Sequence, residues 1–261
     1  MMNLFRYTYV GFLINSKSVN KKLKMQKSII LILGVMILSS AQLWSQKMLK
    51  QGYVKMTLTD VKSDNAEMAP MLDVMKGSTN EIHFDDKKQK VEINMMGGMM
   101  LMRVYQDIAS KTSETYMDMM GQKIKTVLTK EQMDQQVETS KEMLGDAKVQ
   151  YDRSDTKMIL GYKCHRGTIE YAAEGQTMKM IFFVTPEIKV PQVYVQNLNG
   201  LELEGTPLAM TIDMGMMSMT YEAEEISDKL DPDFFVKPDG NYQEMTFEQL
   251  QKLGMGGQLG F

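Results

Sequence analysis

Few residues in this chain could perform nucleophilic or metal chemistry. Cys164 is the only cysteine, and His83 and His165 are the only histidines. Cys164 and His165 are adjacent in a segment that predicts a β-strand, so their side chains should point to opposite faces. We expect Cys164 to be a small buried side chain with an unreactive thiol on the inner face. The chain has neither a nucleophile elbow nor a phosphate-binding loop. We therefore predict no catalytic residue, no cofactor and a non-enzymatic role.

Methionine is the other residue type with chemical potential, because the chain has 29 of them. They are concentrated in the segments 95–102, 117–120 and 214–219. Thioether sulfur is a soft ligand that suits Cu(I), which makes a copper-binding or metal-stress protein one hypothesis. Methionine is also an adaptable apolar side chain that fits varied ligand shapes. Because these methionines alternate with polar residues over many strands, we favour the apolar lining and predict no metal-ligand residues.

The segment 156–186 organises the predicted sheet. It predicts two long strands joined by a loop at residues 172–176, in which Gly175 favours the turn. Tyr162 and Cys164 have the opposite parity to Ile169 and Tyr171, which predicts a β-bulge at residues 166–167. Alternating apolar residues in the second strand predict one apolar face. We expect a bent hairpin with one apolar face to curve, so that this face encloses other groups.

The rest of the chain predicts a mainly β fold of the α+β class. We expect nine or ten strands in a curved antiparallel sheet, or half-open β-barrel, with two or three short helices. Residues 86–88 predict a hairpin turn. Thr129 with Gln132 predicts a helix that begins with a capping box and ends at Gly145. Thr246 predicts another capping box, and the segments 68–76 and 191–199 each have the length of a short helix or an ordered loop.

We predict that one concave face of this sheet binds an apolar ligand. Methionine-rich strands that alternate with polar residues should direct their apolar side chains into a shared space. The predicted ligand-binding residues are Met102, Val104, Met178, Met180, Phe182, Val184, Met217 and Met219.

The first 45 residues differ from everything that follows. Lysines precede an apolar run, residues 29–38, which is followed by small residues, and this order is typical of a secretory signal peptide. The run is shorter than the roughly 20 apolar residues of a membrane span. Met25 is an alternative start, and no cysteine stands at the cleavage region for lipid attachment. We predict a leader over residues 1–45, one domain over 46–253 and a flexible glycine-rich tail over 254–261.

Removing such a leader changes the charge balance. Six of the 30 basic residues and none of the 33 acidic residues lie in it, so the remainder has 24 basic and 33 acidic residues, a net charge of −9. Nucleic-acid binding needs clustered Lys and Arg, and we therefore predict no nucleic-acid partner. The predicted location is periplasmic or extracellular.

Several short motifs resemble a family of exported bacterial proteins of unknown function, DUF4412. The motifs are Gly161-Tyr162-Lys163-Cys164, Thr185-Pro186-Glu187-Ile188, Gly205-Thr206-Pro207-Leu208 and the segment 230–238. The family is related to the LolA/LolB-like lipoprotein-carrier superfamily, and the resemblance covers most of residues 50–250. It implies a half-open antiparallel barrel closed by helices over an apolar cavity. Our own prediction for the partner is a lipid acyl chain or another apolar small molecule, with peripheral contact to the outer membrane. An exported structural domain without a ligand is the other alternative.

Overall fold

In the computed structural model, residues 47–173, 176–190, 201 and 203–252 are described. The predicted leader, the predicted element at 191–199 and the predicted tail at 254–261 lie outside these residues. The described strands, in chain order, are β1 (Lys47–Met48), β2 (Gly52–Ser63), β3 (Thr79–Phe84), β4 (Lys88–Met95), β5 (Met100–Asp107), β6 (Thr112–Met119), β7 (Gln122–Leu128), β8 (Gln150–Ile159), β9 (Tyr162–Ala173), β10 (Gln176–Thr185), β11 (Ile188–Lys189), β12 (Thr206–Asp213), β13 (Met217–Ser227) and β14 (Gln243–Glu244). The described α-helices are α1 (Ala69–Met75), α2 (Lys130–Leu144) and α3 (Phe247–Lys252), and short 3-10 turns lie at Ala66–Met68, Met96–Gly98 and Pro232–Phe235.

Twelve of these strands form one sheet in the order β14-β7-β6-β5-β4-β3-β2-β13-β12-β10-β9-β8. Every pairing in it is antiparallel except that of the two-residue strand β14 with β7. Strands β1 and β11 form a separate parallel pair. Among the described residues the sheet has two free edges, β8 and β14, so it is not closed into a barrel. The predicted mainly β fold with a large antiparallel sheet and short helices is confirmed.

Helix α2 shows that this sheet is curved. It contacts β6 and β7 on one arm of the sheet and β9 on the other. Strands β6 and β9 are eight places apart in the sheet order, which corresponds to roughly 38 Å across a flat sheet. The 15 residues of α2 span only about 22 Å. The sheet therefore bends around the helix, and the face toward α2 is concave.

All three helices cover this concave face. Leu72 of α1 packs with Leu58 and Val61 of β2, whereas Leu144 of α2 belongs to a cluster with Ile169 and Phe182. Leu250 of α3 is buried in the main core cluster, and α3 lies beside α2, because Gln132 Nε2 donates a hydrogen bond to the Glu248 carboxylate at 3.2 Å. Cross-strand register places Leu58, Val61, Ile169 and Phe182 on one face of the sheet.

The two predicted capping boxes are confirmed. The Thr129 hydroxyl accepts a hydrogen bond from the Gln132 backbone N–H at 3.3 Å, and the Gln132 side chain accepts one from the Thr129 N–H at 3.0 Å. Thr246 and Gln249 repeat this arrangement at the start of α3. Helix α2 ends at Gly145 as predicted, where φ is +53°, a value that glycine adopts without strain.

The predicted two-strand hairpin is wrong in its first half. A tight turn at Leu160 and Gly161, both with positive φ, divides that half into β8 and β9. The predicted bulge is also wrong, because β9 pairs with β10 without a register shift from His165 to Ala173. The irregularity lies in the partner strand instead, between Asp152 and Thr156 of β8.

Gly167 has a different role from the predicted one. It pairs directly with Tyr151 of β8, and a Cβ atom at Gly167 would lie 2.9 Å from Cε1 of that tyrosine. The missing side chain therefore leaves room for the Tyr151 ring beside the strand. Because no residue is inserted in β9, Tyr162 and Cys164 stay on the face opposite to Ile169.

The C-terminal segment of residues 230–245 crosses the convex face of the sheet, and we call it the strap. The Phe234 ring stacks on His83 with 3.9 Å between ring centroids, and the Tyr105 hydroxyl donates a hydrogen bond to the Val236 carbonyl at 2.9 Å. Tyr242 meets Tyr116 edge to face at 5.1 Å. The strap then pairs with β7 through β14 and leads into α3 on the concave side. The chain thus wraps around the β7 edge.

Candidate functional site

Cross-strand register places all eight predicted ligand-binding residues on the concave face. Directly opposed residues of an antiparallel pair project on the same face. On one arm, Phe182 pairs with Met210, which pairs with Tyr221. Tyr221 pairs with Leu58 of β2, and from β2 the pairing continues through β3 and β4 to Met102 and Val104 of β5. The other predicted residues have the same parity as these on their strands: Met178, Met180, Val184, Met217 and Met219.

The eight residues differ in burial, and seven of them belong to three clusters. Met102 and Val104 lie in the main core, Met180, Phe182 and Val184 lie in the cluster beneath α2, and Met217 and Met219 pack beside α1. Met178, Met217 and Met219 are half-buried, whereas the other five are fully buried. Whether the eight bind a ligand stays a prediction.

A band of half-buried apolar side chains crosses the concave face between α1 and α2. We call it the apolar band. It lies on β10, β12 and β13, at the place where the cluster beneath α2 meets the cluster beside α1. Its members all lie on the concave face and remain partly accessible to solvent, whereas the helices cover the rest of that face. They are Met178, Met210, Ile212, Met217, Met219 and Tyr221. Burial raises the pKa of the Tyr221 phenol, so this hydroxyl stays neutral at ordinary pH. The band is an uncharged surface with flexible thioether side chains.

A second feature of the concave face is a patch of three hydroxyls, Ser113, Thr115 and Thr126, which we call the hydroxyl patch. Thr115 pairs directly with Val104 on β5 and with Thr126 on β7, so the three side chains lie on the concave face. Each residue is at most 1% exposed, and none of the three hydroxyl oxygens has a hydrogen-bond partner. This patch was not predicted, because Lys111–Tyr116 has polar residues at both parities and alternation therefore does not reveal which of them face the core.

Helix α2 lies over the same two strands and adds polar atoms to this region. It contacts both β6 and β7. The Gln136 Oε1 atom is buried without a hydrogen-bond partner, and Ser140, one turn later on the same side of the helix, is buried. The concave face therefore combines a polar area on the β6–β7 arm with an apolar area on the β9–β13 arm.

The convex face differs from the concave face because it carries charged side chains. A cleft of about 270 Å³ lies where the strap crosses β4 to β6, and Tyr105, Glu114 and Lys237 are among its lining residues. Burial acts to raise the pKa of Glu114, but hydrogen bonds from Lys237 and Tyr116 outweigh it and hold the pKa below its usual range. Lys237 Nζ lies 2.6 Å from the Glu114 carboxylate. These charges neutralise each other and attach the strap to the sheet.

Cys164 lies on the convex side of β9, which corrects its predicted inner-face position. Continuous pairing between β9 and β10 places it on the face opposite to Phe182. It is nevertheless fully buried in the main core cluster, near Ile188 of the β1–β11 pair. Burial raises the pKa of the thiol to about 11. Both faces of the sheet are thus covered at this end of β9.

We expect Cys164 to resist alkylation in the native protein. A pKa raised from 9.0 to about 11 lowers the thiolate fraction at pH 8 by about a hundredfold, and burial blocks access as well. Iodoacetamide labelling followed by mass spectrometry should show native protein modified at least a hundredfold more slowly than protein in urea. Equal rates in the two states would contradict the burial of this residue.

The methionine-rich turns lie at the same end of the sheet. The Met120 N–H donates to the Met99 carbonyl at 3.1 Å, which joins the β4–β5 and β6–β7 turns, and the Asp64 N–H donates to Met216 of the β12–β13 turn. Met99, Met120 and Met216 are exposed. In the part of the chain that the structure describes, no three His, Cys, Asp or Glu residues are grouped to hold a metal ion. Binding of Cu(I) by the thioethers stays a prediction.

No helix among the described residues has both the length and the apolar character to cross a membrane. No protein-family model and no curated protein sequence matches the chain. Membership of DUF4412 therefore stays a prediction.

Some solved structures resemble the chain distantly. PNGF-II gives a TM-score of 0.38 at 13% sequence identity. The similarity covers 80% of this chain but only 32% of the PNGF-II chain. The Mycobacterium tuberculosis lipoprotein LppX gives 0.38 at 10% identity, covering 70% of this chain and 89% of its own. LprF from Mycobacterium bovis gives 0.34 at 10% identity, covering 73% and 90%. The fold described above rests on strand register and not on these similarities.

Proposed function

We propose that this protein binds an acyl chain, or a similar apolar ligand, on the concave face of its sheet. The observation that carries the proposal is the apolar band. Its side chains are half-buried on a face that three helices otherwise cover, whereas neighbouring Phe182 and Val184 are fully buried. A partly accessible apolar surface inside a concavity is typical of ligand sites.

The energetics favour such a ligand. Each methylene transferred from water to an apolar surface contributes roughly 0.8 kcal/mol. The methionines of the band, such as Met210 and Met219, have three rotatable side-chain bonds and adjust to a flexible chain at little cost. The band contains no charged side chain, so no charge has to be desolvated when an alkyl chain binds.

The proposed setting is outside the cytoplasm. On this proposal the leader of residues 1–45 is removed, residues 46–253 act as one non-enzymatic binding domain, and the tail at 254–261 is flexible. The net charge of −9 after removal of the leader favours solubility. Peripheral contact with the outer membrane would give access to acyl lipids.

The test is native mass spectrometry of protein purified from an exporting host, followed by lipid extraction. We expect acyl species bound to the native chain and lost from Met178→Trp, because the larger ring fills the edge of the apolar band. Met158→Trp is the matched control, since Met158 is a methionine on β8 with an exposed side chain. Phe182→Asp, which buries a carboxylate on the same face, should also release the ligand.

Two results would contradict the proposal. Bound acyl species in both tryptophan variants would place the ligand elsewhere. A ligand-free native protein that takes up no added fatty acid would leave an exported structural domain as the remaining explanation. Circular dichroism of each variant separates loss of ligand from loss of fold.

A further inference from the structure

We propose that the hydroxyl patch binds the uncharged polar head of an acyl lipid, such as a glycerol ester, while the acyl chain lies toward the β9–β13 arm. This inference rests on the proposed function and specifies the chemical class of its ligand. It is carried by Ser113, Thr115 and Thr126, whose buried hydroxyls have no partner within the protein.

Unpaired buried hydroxyls call for an explanation. Most buried side-chain polar atoms in proteins have a hydrogen-bond partner, because an unsatisfied group loses its bonds to water without compensation. Here three such groups are neighbours. Ser113 and Thr115 are two residues apart on β6, about 7 Å at the usual rise, and Thr126 is opposite Thr115 at about 5 Å between Cβ atoms. A ligand with two or three oxygens could accept from all of them.

The local charges favour an uncharged head. Lys90, Tyr105 and Glu114 are directly opposed on β4, β5 and β6. They have the opposite parity to Val104, so the charged side chains of Lys90 and Glu114 lie on the convex face. The charged residues of α2 are all exposed: Lys130, Glu131, Asp134, Glu138, Lys141 and Glu142. Lys111 lies two residues before Ser113, but its exposed Nζ is paired with the Asp134 carboxylate of α2 at 3.2 Å. Among the described residues, therefore, the concave face offers no buried cation to a carboxylate at the patch. A buried carboxylate without a partner is costly, whereas ester and hydroxyl oxygens need only the donors present.

Helix α2 sets the direction of the ligand. It contacts β6 and β7, which contain the patch, and β9 on the opposite arm. At that arm Leu144 packs with Ile169 and Phe182 in an apolar cluster that also contacts Met210 and Ile212 of the apolar band. A lipid lying along the helix would therefore place its head on the hydroxyls and its chain on the apolar band.

The test compares 1-monopalmitoylglycerol with palmitate, which share one acyl chain and differ in head charge. Binding is measured by titration of delipidated protein. We expect the native chain to bind the glyceride about tenfold more tightly than the acid, since neutral donors serve the ester head alone. The variant Thr115→Val/Thr126→Val removes two hydroxyls at nearly constant shape. It should bring the two affinities to within about threefold by weakening glyceride binding.

A matched control lies on the other face. Thr211 and Thr220 also form a directly opposed pair, and their hydroxyls are 2.9 Å apart, but they lie on the convex face. Thr211→Val/Thr220→Val should leave the tenfold preference unchanged. In ligand-free protein, the control should lower the melting temperature because it removes a formed hydrogen bond. Thr115→Val/Thr126→Val should preserve or raise the melting temperature, because those hydroxyls are unpaired.

The outcomes separate the two proposals. If both ligands bind with equal affinity, or if the Thr115→Val/Thr126→Val variant keeps the preference, the inference is overturned and the proposed function stands. A melting temperature lowered as much as in the control would show that protein groups or fixed waters satisfy the hydroxyls, which also overturns the inference. If neither ligand binds the native chain, the proposed function and the inference fail together.

Discussion

Replacing Gly52 with alanine is expected to lower the free energy of unfolding by about 3–5 kcal/mol, from backbone strain and overlap together. Gly52 begins β2, which lies in the middle of the sheet, and has φ of +145°, a conformation that glycine adopts and L side chains avoid. A Cβ atom there would overlap the carbonyl oxygen of Ser227, which is backbone and cannot rotate away. The alanine variant must therefore separate β2 from the end of β13.

Gly77→Ala is the control for this prediction. Gly77 also has positive φ, at +80°, but a Cβ atom there would meet nothing within 4 Å. It should cost only the conformational term, about 1–2 kcal/mol. Urea denaturation of both variants measures the difference. Equal losses in the two variants would show that the overlap at Gly52 is relieved without cost.

Replacing Phe182 with alanine is expected to lower the free energy of unfolding by about 3–5 kcal/mol, the usual cost of deleting a buried ring. Phe182 is fully buried on the concave face, in the cluster that joins Leu144 of α2 to Ile169 of β9. The cavity left behind would open beneath α2. Thermal and urea unfolding of the ligand-free protein should both report the loss.

Phe183→Ala is the matched control, because Phe183 is the next residue of the same strand and points to the other face. It is only half-buried against the main core cluster, so we expect a loss of about 1–2 kcal/mol from the smaller area buried. A larger loss at Phe183 than at Phe182 would contradict the difference in burial between the two side chains.

Local signals in the sequence predicted most of the elements correctly. Thr129 and Thr246 each precede a glutamine by three residues, and both are capping boxes in the structure. The turn near Lys87 was also predicted correctly, since the Asp85 carboxylate accepts hydrogen bonds from the N–H groups of Lys87 and Lys88. In these cases a few neighbouring residues decide the conformation, so the sequence contains the information.

The incorrect predictions of secondary structure arose where one sequence pattern is compatible with two different structures. The change of parity between Cys164 and Ile169 was interpreted as a bulge, but the sheet is buried on both faces there, so each face carries apolar residues. Leu160–Gly161 was interpreted as strand although both residues have positive φ in a turn. The strap was missed because its contacts are long-range, such as that between Tyr105 and Val236.

The candidate site was predictable strand by strand but not as a whole. Alternation assigned Phe182 and Val184 to one face of β10 and Met102 and Val104 to one face of β5. A shared face was predicted for them, but only register across β12, β13, β2, β3 and β4 establishes that the two faces are the same. The hydroxyl patch could not be predicted, because Thr115 differs from an exposed threonine only in what covers it.

The two edges of the large sheet bear on how the protein behaves at high concentration. An unpaired edge strand is a template for β-sheet aggregation between molecules. At one edge, β14 contributes only Gln243 and Glu244, which pair with Ile124 and Lys125 and so cover the middle of β7. At the other edge of the described sheet, β8 is interrupted between Asp152 and Thr156 by residues that include the charged Arg153, and such an irregularity with a charge disfavours pairing with a second chain. The fold thus leaves a wide, open sheet that is poorly suited to fibril growth.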